Sequence, residues 1–507
     1  MTISLKIFRH GAGVRGMILA AIFVLLTPGA VFSSDASREN TLVIGIGRDF
    51  FDGPDSRTYV HGSTNTWESL TYLGEGLKAV PWLAESWESS DDGRIWRFRL
   101  RKGVRFHNGD PLSASLAVES IKRIAFRPQY DPSGVFRSIE EIAAIGDLTI
   151  EFRLKEPSPL FPNMVAYYSS PVIHPSCFDP SGHLTGLTAT GPYRLTEARD
   201  GDRIILDAYE GYWGKKPLYQ RVIFRTLADA RTRVMALMAG EIDAVADVGG
   251  ILPQQAEEIK NLPEITLKRV DVATTHYILF NCRKPPFESP EARRWFSGLL
   301  DRKEIVDVLA SGAGIAAYDP FSPLASQWTF KNIKPSEGKK PKVTNDPIVI
   351  LLHGGTLERW PYRDIAQIVQ AKLRESGFNS RISVREPGAY YEDIHEGRFN
   401  LCLQPNTLMT GEPDFFYAYY VASNGLRYCG CGTPEMDQLI GEGRAMINFS
   451  EQRGIYLRLS EIFTMQMPLL PLYHDISYYA HGPRVGDFTM DWNFRPLLQE
   501  AKPKGMP

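Results

Sequence analysis

Ten histidines, five cysteines and 59 acidic residues give this 507-residue chain ample material for catalysis or metal binding. Their spacing decides whether it is used. Gly45-Ile46-Gly47 opens like a dinucleotide turn, but Phe50 stands where the third glycine belongs. There is no phosphate-cradling Walker A loop and no G-x-S-x-G nucleophile elbow. His353-Gly354-Gly355 could form an oxyanion-hole loop, but without that elbow it reads as a strand end. His395-Glu396 has no second histidine three residues on, so it is not a zinc-protease helix. Asp91-Asp92 lies in a polar run and reads as a solvated turn, not an acid/base pair. Cys429-Gly430-Cys431 has soft-metal spacing, yet no histidine is near and no second such pair exists. No metal and no cofactor are therefore expected. A secreted hydrolase with an unrecognised site is the reading to carry from the enzyme class.

The 57 basic and 59 acidic residues nearly cancel, which excludes the strong basic bias of nucleic-acid or membrane-surface proteins. Lys6, Arg9 and Arg15 precede an apolar run, Met17 to Leu26, and then small residues including Val31 and Ser33. This predicts a cleaved secretory leader over 1–34, with a run too short to span a bilayer. No cysteine follows the run, so no lipid anchor is expected. The remaining length, about 470 residues, exceeds one ordinary core and predicts two or three domains. The cysteines are Cys177, Cys282, Cys402, Cys429 and Cys431, and five cannot all pair internally. A Cys282–Cys402 bridge is conceivable, and one between Cys429 and Cys431 would be strained.

The elements that position these residues follow from periodicity. Strands are expected at 41–47, 95–100, 149–154, 221–225, 347–355, 381–384, 399–403 and 469–473, with a hairpin following Gly191 whose turn is ARDGD. Helices are expected at 67–73, from Ser113 onward, and at 229–238, 290–309, 362–375, 436–446 and 451–464, with Gly240 and Gly377 as stops. Alternation of strands and helices predicts an α/β fold with a mostly parallel sheet covered on both faces.

One stretch, Pro81 to Arg123, says more than the rest: PWLAESWESSDDGRIWRFRLRKGVRFHNGDPLSASLAVESIKR. It resembles the signature region of the periplasmic solute-binding proteins of peptide and nickel ABC importers, solute-binding family 5. TGPYRL, YEGYWGKKP, RTRVMALMAGEIDAV, LFNCRKPPFESPEARRW and YCGCGTPEMDQLI continue that resemblance in the same order across nearly the whole chain. It implies a type II periplasmic-binding-protein fold of two lobes joined by crossover strands. Lobe one would hold 40–272, with an extra subdomain at 62–185; lobe two would run over 273–477, and 478–507 would return to lobe one. It also implies a periplasmic monomer that encloses a solute between its lobes and delivers it to a membrane permease.

The same resemblance supplies candidate ligand residues. Peptide-binding members place an Asp before a turn in lobe two to pair with the peptide's amino terminus. The matching text is Asn406 to Pro413, NTLMTGEP, and Met409 stands where that Asp would be. Asp414 is the nearest substitute, and Thr410 and Asn406 flank the position. The arginines that hold a metal–chelate in the nickel-binding relatives map near Tyr130 and Ser170, and the histidine near Asn424 or Gly425. Only Arg127, or His61 from the first lobe, could restore them. Phe415, Phe416, Tyr419 and Tyr420 have i, i+4 spacing, which suits core packing or a stacking wall for a ligand. The expected solute is a short peptide or peptide-sized polar molecule; a nickel or other metal–chelate complex is the alternative.

Overall fold

The computed structural model describes residues 40–47, 65–127, 129–131, 134–166, 171–330, 333–425 and 430–506. The expected leader, His61 and Cys429 lie outside these residues. One large sheet organises the rest. Its first half contains β1 (Thr41–Ile46), the hairpin β6 (Tyr193–Arg199) and β7 (Arg203–Ala208), β8 (Arg221–Thr226) and β9 (Ala244–Val245). Between β1 and β6 the chain leaves to build a separate layer. That layer holds β2 (Ala84–Ser89), β3 (Ile95–Leu100), α1 (Ala114–Ala125), β4 (Ile139–Ala144) and β5 (Thr149–Leu154), in strand order β2-β3-β5-β4. Helix α2 (Ala230–Met238) links β8 to β9. β10 (Thr266–Phe280) then carries the chain into the second half.

The second half contains β11 (Ile348–His353), α3 (Tyr362–Glu375), β12 (Ser380–Arg385), α4 (Pro387–His395) and β13 (Leu401–Thr407). Three helices follow, α5 (Pro413–Tyr420), α6 (Pro434–Ala445) and α7 (Phe449–Gln466), before β14 (Leu469–His481) returns to the first half. The strand order is β12-β11-β13-β10-β14-β9-β1-β8-β7-β6. β10 and β14 pair along both halves, with register breaks between Asp271 and Thr275 and between His276 and Tyr277. The sheet is mixed, not mostly parallel. β11 runs parallel to both neighbours and β1 to both of its own, but the two crossing strands run in opposite directions and are antiparallel to every strand they touch.

Local signals place most elements. Ser113 accepts from Leu116 N–H and starts α1. Trp96, Phe98 and Leu100 are buried while Arg97 and Arg99 point out, as period two requires. The expected helix at 67–73 is absent. Residues 65–71 are buried on every side, and Thr71–Leu73 instead pairs as a strand with Ala79–Pro81. A helix exposes part of its circumference in a layered fold, so an all-buried segment suits extended chain. The single helix expected over 290–309 is broken near Gly298, and Asp301 caps a second turn at Arg302–Glu304. The disulfide joins Cys282 to Cys431, Cα atoms 5.4 Å apart, not to Cys402. Cys402 and Cys177 are buried thiols.

The segments that carry the resemblance meet in space. Glu68 is fully buried and accepts from Trp82 Nε1 (2.8 Å), Tyr212 Oη (2.9 Å) and Trp213 Nε1 (3.0 Å). Arg101 lies over the Trp213 ring and donates to Trp82 O. His107 approaches Gly191 O at 3.0 Å, and Tyr209 Oη donates to Phe106 O. Gly191 is glycine because a Cβ there would sit 2.7 Å from the Thr66 carbonyl. PWLAESW, RFHNGDP, TGPYRL and YEGYW thus form one polar and aromatic knot joining the separate layer to the first half-sheet.

Candidate functional site

In open α/β sheets a ligand settles beyond the carboxyl ends of parallel strands. Here those ends belong to β1 and β9 in the first half and β11 and β13 in the second. The segments after them approach one another. Arg233, buried beside β1, donates to the carbonyls of Leu227, Ala228, Gly249 and Gly250, which fixes the loop after β9. Asp247 accepts from Gly47 N–H at 2.7 Å and ties that loop to the end of β1. Gly249 then packs against Arg359, from the segment after β11.

After β13 the chain makes a second contact. Asn163 Nδ2 donates to Leu77 O (2.8 Å) and Thr410 O (2.9 Å), bridging the separate layer to the second half. Gly411 has φ +68, and a Cβ there would fall on Leu77. Only glycine permits that approach. Pro405 lies past Cys402, the last residue paired with β11, so its missing N–H breaks no ladder on that side.

Two cavities flank these contacts. The first, about 210 Å³, lies between the segments that precede β4 and follow β5 of the separate layer and α5, α6 and α7. Its wall is charged in both signs: Arg137, Lys155 and Arg444 against Glu156, Glu412 and Asp414. Glu412 caps α5, accepting from Asp414 N–H (2.7 Å) and Phe415 N–H (3.3 Å). Burial, then the Asp414 charge beside it, pushes the Glu412 carboxyl well above the usual range despite these donors. Arg444 Nε donates to Asp414 Oδ2 at 3.0 Å, while Asp414 Oδ1 is buried with no partner among the described residues. Burial opposes the Arg444 charge, and Asp414 more than offsets this.

Of the sequence-derived candidates, Thr410, Asp414 and Phe415 line this cavity. The aromatic cluster divides between both of its readings. Phe415 stacks on Tyr419 (6.1 Å, 18°) and both face the cavity, while Phe416 and Tyr420 sink into the core. Met409 is half-buried against that core, and Asn406 Nδ2 lies 3.4 Å from Tyr420 Oη. Arg127 Nη1 donates to Ser181 O, and the Arg123 guanidinium covers the Tyr130 ring at 4.2 Å. Both therefore tie the end of α1 to the 178–183 loop. Glu412 and Arg444 were not singled out by sequence. The only signals were an acid just before Pro413 and a base in the last turn of α6.

The second cavity, about 190 Å³, lies beside β14 between the loop after β9 and the segment after β11. Trp360, Tyr473, Asp475 and Tyr478 are on its wall. Behind them His276 is fully buried, stacked on Tyr473 at 4.1 Å, and its Nδ1 is 2.7 Å from Tyr362 Oη.

Residues 78–427 match the sequence family described as bacterial extracellular solute-binding proteins, family 5, middle region. The chain belongs to that family. It is 24% identical to the dipeptide-binding protein of Escherichia coli K12, over 97% of this chain and 98% of that protein. It is also 24% identical to the nickel-binding periplasmic protein of the same organism, over 85% and 87%. Its fold matches that of NikA from Brucella suis, solved with Fe(III)-EDTA, with a TM-score of 0.79 at 21% identity, covering 91% of this chain and all of the other. The type II periplasmic-binding-protein fold and a solute-binding role follow. No helix among the described residues is long and apolar enough to cross a membrane.

Proposed function

We propose that this protein captures a short peptide or peptide-sized polar solute between two lobes and hands it, unchanged, to the permease of an ABC importer. The observation that carries the reading is the first cavity. It straddles the two sides of the cleft, and its charges of both signs beside a stacked aromatic pair suit one polar, partly apolar residue of such a solute. In this reading lobe one is 40–272 with its subdomain at 62–185, lobe two is 273–477 and 478–507 is the returning tail. The chain works as a periplasmic monomer released from its leader. Contacts such as Asn163–Thr410 belong to the closed form that the permease receives.

Met409 leaves the family's ammonium anchor empty, so a free amino terminus is not required. A buried ammonium without a charged partner costs several kcal/mol or more. Thermal-shift and calorimetric screening of tri- and tetrapeptides, free and N-acetylated, beside nickel–histidine tests the reading. Equal binding of free and acetylated peptides is expected. A strong preference for free amines overturns the Met409 argument, and binding of nickel–histidine alone overturns the peptide reading.

A further inference from the structure

The second cavity is more acidic than the first. Asp475, Glu358 and Asp364 lie on its wall, against Arg359 on the same rim, so the balance is acidic. Asp475 is nearly buried on β14. Its Oδ2 accepts from Trp360 Nε1 at 3.2 Å and lies 3.5 Å from His276 Nε2, while Oδ1 takes no donor among the described residues. Tyr473, 1% exposed, is among the lining residues, and its buried hydroxyl has no hydrogen-bond partner among the described residues. Trp360 and Tyr478 add half-buried aromatic surface. An unsatisfied buried hydroxyl and a half-used carboxylate are costly unless something arrives to meet them.

Carboxylate and aromatic surface together are what an organic cation wants. The carboxylate accepts its N–H donors, and the ring faces attract its charge. About 190 Å³ is below the ~300 Å³ of a whole-ligand pocket, so one side chain or a small cation fits, not an entire peptide. We infer that this cavity receives a cationic group of the solute, the guanidinium or ammonium of a side chain, held by Asp475 between Trp360 and Tyr473. The inference rests on the proposed capture of a peptide-sized solute and narrows it to solutes carrying a positive side chain. It also fits the Met409 departure: the cation is met beside the crossing strands and not at the turn after β13.

The test uses the full chain and calorimetry with three acetylated, amidated tripeptides, Ac-Ala-X-Ala-NH2, where X is Arg, Lys or Met. Arginine amide is titrated as a small cation. Arg and Lys peptides should bind at least about tenfold tighter than the Met peptide, the scale of a charge-assisted hydrogen bond. Asp475→Asn should bring the three within about twofold, and an unchanged far-UV circular dichroism spectrum and cooperative melting show that the fold survives. Tyr473→Phe, which removes only the hydroxyl, should weaken the cationic peptides selectively. Equal wild-type binding of all three overturns the inference and leaves the peptide reading standing, as does a preference that survives Asp475→Asn. If no peptide binds but arginine amide does, and Asp475→Asn abolishes it, the peptide reading fails and the cation site stands. If nothing binds, both fall.

Discussion

Glu68 is where a perturbation can be worked furthest. Its carboxyl is fully buried, and burial pushes its pKa from 4.5 up to about 7, against the donors Trp213, Tyr212 and Trp82. A carboxyl raised in the folded state holds its proton while the unfolded chain loses one. Stability should therefore fall as pH rises from about 4.5 to about 7 and level off above that. That interval corresponds to about 3 kcal/mol. Other groups oppose it. His107 and His474 are each held neutral by burial, down to about 4, so their contributions rise over pH 4 to 6.5. The comparison must therefore be with Glu68→Gln, which keeps the histidines and removes only the titration. Denaturant unfolding of both proteins at pH 4.5, 6, 7 and 8 gives the difference directly. Wild type minus variant should drop by about 3 kcal/mol between pH 4.5 and 8. A flat difference, or one that grows with pH, would mean that the two indoles and the Tyr212 hydroxyl hold an ordinary ionised carboxylate, and the reasoning fails.

Other perturbations have clear expected outcomes. Gly411→Ala would force a side chain at φ +68 onto Leu77, so the contact between the two sides should open and ligand affinity fall at least about tenfold, read by calorimetry. Cys282→Ser removes the bridge to Cys431, which spans 149 residues, and should lower stability by about 2–5 kcal/mol; a reductant should lower the wild-type melting temperature comparably. Arg444→Ala leaves Asp414 without its cation and should cost about 3–5 kcal/mol at neutral pH in denaturant unfolding.

Much of this protein was legible before any coordinates. Residues 362–375 form the expected helix, and Gly377 at φ +86 stops it. Ser113 caps its helix and 95–100 alternates as read, because each signal acts within a few residues and needs no distant partner. The ordered motifs also identified the family, and Glu68 explains their spacing, since Trp82, Tyr212 and Trp213 lie far apart in sequence but share one carboxylate.

Sequence could not decide what depends on contacts between distant segments. The partner of Cys282 is Cys431 because β10 leads to one and the turn after α5 to the other, a pairing set by the packing of the second half. Phe415 and Phe416 are adjacent and chemically alike, yet one faces a cavity and the other the core, since the neighbours of α5 determine which arc is covered. Asp475, Trp360 and Tyr473 carried no motif at all. They meet where β14 crosses between the halves, a contact that only the packing of distant segments creates.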